Sequence, residues 1–166
     1  MTGPPRSIVV PITLAADSAQ LLEVAAPLAG ALGAELTLVG IAPVVPAAPA
    51  VAQAGESVGL APHAEQRLLD LLVQERLDDL SGRLPAAARA RTVLTWGPPG
   101  PALIAVAREQ QAELIVVPMR RDSVLGHALQ DHADRHVLHH SDVPVLVVPT
   151  RRPLARRPPS SIRPVE

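Results

Sequence analysis

The chain has 166 residues, of which 48% are apolar and one, Trp96, is aromatic, and its formal net charge is −1. This length suits a single domain with its own core, and a near-neutral chain is not drawn as a whole to nucleic acid or to an anionic membrane. The absence of cysteine excludes disulfides, thiol catalysis and thiolate metal sites, and the absence of lysine excludes Schiff-base chemistry and a P-loop lysine.

The sequence shows no pattern of a targeted or membrane-spanning protein. Its first residues lack the charged segment and apolar segment of a signal peptide, and no apolar run approaches the roughly 20 residues that span a bilayer. We therefore expect a cytoplasmic protein with no membrane partner.

The first part of the chain predicts a strand, a helix and a second strand. Ser7–Ile12 is a short, mainly β-branched apolar run, as in a strand buried on both faces. Asp17 is a good helix N-cap, and Gln20 three residues later makes a pair that resembles a capping box. Gly33 is typical of a helix C-terminus, so we expect the second strand to span Glu35–Ile41.

The middle of the chain begins with an irregular segment, Ala42–Ala61, which is long enough to be either mobile or a lid. A helix is predicted for Pro62–Leu84, a strand for Ala90–Thr95, a rigid turn after it, and a helix from Pro101 through Gln111. The predicted apolar stripe of the first of these helices is Leu69, Val73, Leu77, Leu80 and Leu84, and its solvent side is Asp70, Glu75, Arg76, Asp78 and Asp79.

The last part predicts a strand, a loop, a helix and a strand. Leu114–Val117 and Val143–Val148 are continuously apolar runs, and parallel strands need a crossover such as the segment between them. The alternation of strands and helices along the chain predicts one α/β domain with a doubly wound parallel sheet. Ligands bind outside the carboxyl ends of such strands, so the loop Pro118–Leu125 is the first place to expect a site.

Three stretches in this part, LIVVP, LGHALQDHADRHVLHH and DVPVLVVP, resemble the universal stress protein family, as does SIVVPITLAADSAQLLEVAAPLAGALGAELTLVGI near the start. The resemblance covers about residues 7–149. It implies a Rossmann-like five-stranded sheet of strand order 3-2-1-4-5, with helices on both faces and a crevice between the first and fourth strands. It also implies a stress-response role as a binding or regulatory module. No catalytic set of residues is visible in the sequence, so we do not expect an enzyme.

Members of that family that bind ATP carry the signature G-x2-G-x9-G-[ST] after the fourth strand. The four positions are Pro118, Arg121, Asp131 and His132 in this chain, and none of them matches; the acidic residue that such members tend to have just after the first strand is replaced by about Thr13. Proline has no N–H to offer a phosphate, and an aspartate adds negative charge. We therefore expect no cofactor and no ATP bound in the family manner, although a nucleotide or other anion held by Arg120 and Arg121 is an alternative. The candidate ligand-binding residues are Thr13, Pro118, Met119, Arg120, Arg121, Gly126, Asp131 and His132, of which Gly126 aligns with a family glycine outside the signature.

Histidines are concentrated in the predicted helix before the last strand. His132, His136 and His139 follow helical spacing, and imidazoles one turn apart can bind zinc, nickel or copper, or can respond to pH. The alternative is a solvated face of the helix. Val137 and His140 are expected on the buried face instead.

The resemblance implies a homodimer formed through the last strand, and the sequence of that strand agrees because an apolar sheet edge needs a cover. The alternative cover is the chain's own tail, and an unidentified protein partner stays open. The predicted domain spans residues 1–149, followed by a disordered arginine- and proline-rich tail over residues 150–166, which is either solvated or a basic arm. The predicted interface residues are Val145, Leu146, Val147 and Val148.

Overall fold

In this computed structural model, residues 3–14, 17–46, 62–86, 88–120 and 133–150 are described. They form one five-stranded parallel sheet of order β3-β2-β1-β4-β5, which confirms the expected topology. In chain order the elements are β1 (Ser7–Ile12), α1 (Asp17–Leu32), β2 (Glu35–Ala42), α2 (Pro62–Gly82), β3 (Ala90–Trp96), α3 (Pro99–Glu109), β4 (Leu114–Arg120), α4 (Ala133–His140) and β5 (Val145–Thr150).

The core lies on both faces of the sheet, as the continuously apolar strands predict. Along β1, Ile8, Val10 and Ile12 pack into the cluster that includes α1 and α2. Val9, between them, packs into the second cluster, which includes α3 and Val137 of α4. Because successive side chains of a strand point to opposite faces of the sheet, β1 contributes to both aliphatic cores.

Three of the five residues of the predicted apolar stripe of α2, Val73, Leu77 and Leu80, are buried, whereas Leu69 and Leu84 are half-buried and Leu84 lies beyond the end of the helix. The helix approaches β2 closely at Gly40. A Cβ atom on Gly40 would lie 2.6 Å from Leu77 Cδ1 and 2.8 Å from Val73 Cγ1. The absence of a side chain at this position lets α2 pack against the strand.

Two helices end in the left-handed conformation. Gly33, predicted to end the first helix, has φ 64°, and Ala34 N–H donates to Ala29 O at 2.9 Å. This bond pattern is that of a Schellman motif. Gln111, with φ 50°, takes the same position after α3, where glycine is the usual residue.

The bounds of the last two strands differ from the prediction. Pro118, Met119 and Arg120 belong to β4, so the expectation that a loop begins at Pro118 was wrong. The reason is pairing with β5, which continues through Pro118↔Val148 and Met119↔Pro149 and which the sequence of one strand does not show. Thr150, the first residue of the predicted tail, is buried and is the last residue of β5.

Other expectations lie partly outside the described residues. Of the irregular segment, residues 43–46 are described and residues 47–61 are not, and the tail beyond Thr150 is also outside. The domain boundary and the nature of the tail therefore stay predictions. Within the described part of the chain, no helix combines the length and the apolar character needed to cross a membrane.

Candidate functional site

The sheet opens between its first and fourth strands. β1 pairs with β2 along its whole length, up to Ile12↔Gly40, whereas its described pairing with β4 is limited to Ile8↔Leu114 and Val9↔Ile115. Toward their carboxyl ends β1 and β4 therefore no longer form a ladder. Such a gap, at the point where the strand order reverses, is where doubly wound sheets bind ligands.

The first turn after β1 is closed by Ser18. The Oγ of this buried serine accepts a hydrogen bond from Thr13 N–H and donates one to Thr13 O, each at 3.1 Å. The side chain of Ser18 thus holds the backbone of Thr13 at the edge of the crevice. Ser18 therefore stabilises the turn between β1 and α1.

On the other side of the crevice, Pro118 is half-buried and Met119 is 43% exposed. Met119 O is within 3.5 Å of Thr150 Oγ1, which is a weak hydrogen bond to the edge strand. The structure therefore brings Thr13, Pro118 and Met119 to the carboxyl ends of adjacent strands, with Arg120 as the last residue of β4. Four predicted ligand residues lie outside the described part of the chain: Arg121, Gly126, Asp131 and His132.

A feature that the sequence analysis missed is an exposed apolar residue at the end of each of four adjacent strands. We call these four residues, Leu14, Val44, Trp96 and Met119, the carboxyl rim. They are 48%, 58%, 51% and 43% exposed: Leu14 and Val44 lie two residues after β1 and β2, Trp96 ends β3, and Met119 is the last residue but one of β4. Single exposed apolar residues are ordinary, but an apolar residue at four neighbouring strand ends marks a surface suited to an apolar group.

Hydrogen bonds hold one end of this rim in place. Trp96 Nε1 donates to Asp70 Oδ1 at 2.9 Å, and Gln66 Nε2 donates to the same oxygen at 2.9 Å. Gln66 also donates to Pro43 O at 3.1 Å and accepts from Val45 N–H at 2.8 Å. We call these five residues the Trp96 network. It joins β3, α2 and the chain after β2, and it gives Asp70, predicted only as a solvent residue, a positioning role.

The signal for this network in the sequence is weak. A lone tryptophan directly after a strand has an N–H that usually finds a partner. The partner, however, is 26 positions away in the chain. Only the packing of α2 against β3 brings the two together.

The described histidines of α4 form a different arrangement from the predicted one. The ring of His136 stacks on that of His140, with centroids 4.2 Å apart and an angle of 15° between planes. His140 Nδ1 lies 3.0 Å from His136 O. Val137 is buried as expected, but His140 is exposed, so its predicted burial was wrong; the ring turns back along the helix to a carbonyl instead of entering the core.

A metal site at His132, His136 and His139 stays a prediction, since His132 is not described. Among the described residues, no group of three or more histidine, aspartate or glutamate side chains is placed to hold a metal ion. His136 is instead packed against α3, because a Cβ atom on Gly100 would lie 2.7 Å from His136 Cβ.

The clearest electrostatic effect in the described residues lies away from the crevice, at the start of β2. Arg91 donates a hydrogen bond to Glu35 Oε1 at 2.5 Å, and this bond lowers the pKa of Glu35 below its ordinary value. Arg91 also donates to Gln110 Oε1 at 3.1 Å. Arg91 therefore joins the β3 edge to the start of β2 and to the C-cap of α3, at the end of the sheet opposite the rim.

Comparison with solved structures finds the same fold in several proteins. A universal stress family protein from Burkholderia pseudomallei is 20% identical, with 90% of this chain and 100% of that chain covered and a TM-score of 0.67. The universal stress protein UspA from Lactobacillus plantarum is 18% identical, with 89% of this chain and 99% of that chain covered and a TM-score of 0.61. A universal stress protein in complex with cAMP is 20% identical, with 88% of this chain and 98% of that chain covered and a TM-score of 0.58.

No curated protein matches the chain. The model of the universal stress protein family, however, matches residues 5–149. That span includes all of the described strands and helices except the last residue of β5. The chain therefore belongs to the universal stress protein family.

Proposed function

We propose that this protein is a dimeric binding and regulatory module whose crevice does not hold ATP in the manner of the nucleotide-binding family members. The observation that carries the proposal is the position of Pro118. It stands where the family signature begins with glycine, and it lies inside β4 in register with Val148. Proline offers no N–H to a phosphate, and its ring fills the space that glycine leaves open.

The sequence of the remaining signature positions supports the same proposal. Arg121, Asp131 and His132 stand where the signature has glycine, glycine and a small hydroxyl residue. Each brings a bulky side chain, and the aspartate adds a negative charge near any phosphate. A cradle of backbone N–H groups around a triphosphate is therefore not expected.

A small-molecule ligand nevertheless remains part of the proposal. The universal stress protein crystallised with cAMP shares this fold, which supports a ligand-regulated role for the module. The open carboxyl ends of β1 and β4 and the apolar rim beside them supply a surface for such a ligand. We propose binding, and not catalysis, as its function.

A second candidate function is the binding of an anion by arginine. Arg120 ends β4, next to the crevice, and Arg121 follows it in sequence. Guanidinium groups bind phosphate by charge and paired hydrogen bonds and need no glycine loop. This candidate predicts binding of pyrophosphate that is lost in the variant Arg120→Ala.

Calorimetry with Mg·ATP, adenosine and pyrophosphate separates these candidates. Because the phosphates find no backbone cradle, Mg·ATP is expected to bind no more tightly than adenosine. Micromolar binding of Mg·ATP that adenosine does not match would refute the proposal. If that extra affinity is shared by pyrophosphate and disappears in Arg120→Ala, the anion-binding candidate replaces it.

The dimer is proposed to form through β5. This strand is one edge of the sheet, and its side chains pack inward on both faces: Val145 and Val147 against one core cluster, Leu146 and Val148 against the other. What the edge still offers is its backbone, which can pair with a second copy. The predicted interface residues would then act through the strand they form.

Sedimentation of two matched variants tests this interface. Val147 in β5 and Val93 in β3 are half-buried valines on opposite edge strands, and both pack against the same core cluster. Val147→Glu should give monomers, whereas Val93→Glu should disturb the core to a similar extent and stay dimeric. Loss of the dimer in both variants, or in neither, would contradict an interface at β5.

A further inference from the structure

We propose that the indole of Trp96 is a stacking surface for a flat aromatic ring, such as a nucleobase, of a ligand bound at the carboxyl rim. The inference rests on the proposed function, because it names what that crevice holds and by which part. Trp96 is the only aromatic residue of the protein, yet 51% of it is exposed. The core around it is built from aliphatic side chains, so the indole is not needed to fill it.

The Trp96 network makes this surface rigid before any ligand arrives. The bond to Asp70 Oδ1 satisfies the single polar group of the indole, and Gln66 holds the same carboxylate oxygen. Fixing a side chain in advance lowers the entropy lost on binding. A stacking residue benefits from this more than a residue that only covers the sheet.

The position of Trp96 suits a ligand that reaches the crevice. It ends β3, and only β2 separates β3 from β1. With neighbouring strands spaced about 4.8 Å apart, the two strands lie about 10 Å from each other. Val44, two residues after β2, is 58% exposed, so the strand between β3 and β1 also has exposed apolar surface just past its end.

Charge gives the ligand a direction along the rim. The carboxylate of Asp70 and the amide of Gln66 lie at the β3 end of the rim, where Trp96 donates to the same carboxylate. An anionic group is disfavoured beside the carboxylate, whereas an uncharged ring is not. The aromatic ring therefore lies on Trp96, and any phosphate that the ligand carries points toward β4.

The chain offers a direct test, because its intrinsic tryptophan fluorescence comes from Trp96 alone. Adenosine is expected to change this emission in a saturable way, and ribose 5-phosphate, which has no aromatic ring, is expected not to. Calorimetry with adenosine on Trp96→Ala should then show an affinity reduced about tenfold or more, the range for loss of one stacked base. Trp96→Phe should retain most of the affinity.

Two further variants keep the test decisive. Leu138 in α4 is 49% exposed, and Leu138→Ala should leave adenosine binding unchanged, as a control for loss of exposed apolar area. If Trp96→Ala fails to fold, Trp96→Leu is used in its place and should lose the binding that Trp96→Phe keeps. No saturable response to adenosine, or equal affinity in the phenylalanine and leucine variants, would overturn the inference. The proposed function fails on a different result, an affinity gained from the phosphates.

Discussion

The two halves of the carboxyl rim are held by different means. At the β3 half, the exposed indole of Trp96 donates a hydrogen bond of 2.9 Å to Asp70 of α2, and Gln66 donates one of 2.9 Å to the same carboxylate oxygen. At the β4 half, the backbone is held by strand pairing, because β4 pairs with β5 through Arg120↔Thr150. Pro118 in β4 contributes no N–H.

This difference separates two kinds of recognition. Binding of phosphate by a loop depends on backbone N–H groups and on glycine, so the proposed function expects the substitutions at the β4 half to remove it. Binding of a ring depends on one fixed side chain, and the β3 half has that side chain. The proposed function therefore implies a fold that keeps its crevice while the part of the ligand that it binds changes.

The largest effect is expected from Gly40→Ala, which changes the packing of β2 against α2, the helix that supports the β3 half. The added Cβ atom would meet Leu77 Cδ1 at 2.6 Å and push against α2, the helix that carries Gln66 and Asp70. Overpacking of this kind lowers the free energy of unfolding by about 1–3 kcal/mol, which urea denaturation measures. Gly30→Ala is the control, because its Cβ atom meets nothing within 4 Å and a helical alanine should stabilise by about 0.5–1 kcal/mol. Equal stability of the two variants would contradict the close packing at Gly40.

A smaller effect is expected from Asp70→Ala, which cuts the Trp96 network without touching the core. The free energy of unfolding should fall by about 1 kcal/mol or less, and Trp96 should become more mobile, which fluorescence anisotropy detects. Asp78→Ala is matched to it, because Asp78 accepts a bond of 2.9 Å from Gln74 on the same helix but has no contact with the indole among the described hydrogen bonds. If both variants change the anisotropy equally, the network does not hold Trp96.

The smallest effect concerns Glu35 and Arg91, a reference pair at the opposite end of the sheet. Because the bond to Arg91 lowers the pKa of Glu35 from its ordinary value of 4.5, the pair stabilises the fold above that value. Its contribution is lost as the pH falls through the lowered pKa in the folded state. Both side chains are more than a third exposed, so solvent screening keeps the effect small.

Unfolding of wild type and Glu35→Gln across this pH range checks the sign. The variant should be less stable than wild type at neutral pH and equally stable in acid, where the carboxyl of the wild type is protonated. The fluorescence of Trp96 should not differ between the two proteins. A deficit that grows as the pH falls would contradict the account of this pair.

Local pattern and family resemblance together predicted the elements and the strand order, since apolar runs and helix stops such as Gly33 act within a few residues. The end of β4 was not predictable in the same way. Its length is set by pairing with β5, and a proline at position 118 suggests a loop when it is read alone. The Trp96 network was not predicted, because its members come from three separate parts of the chain that only the fold brings together. His140 was misplaced because helical spacing alone does not distinguish a core position from one that bonds a carbonyl.

The proposed mode of ligand binding is best tested with crystals grown with Mg·ATP, since they show which part of a nucleotide the crevice holds. Any nucleotide density is expected to lie with its base on Trp96, and no phosphate oxygen is expected to be bound by backbone N–H groups in the segment that begins at Pro118. A triphosphate held by those backbone groups, with the base away from Trp96, would contradict this mode of binding.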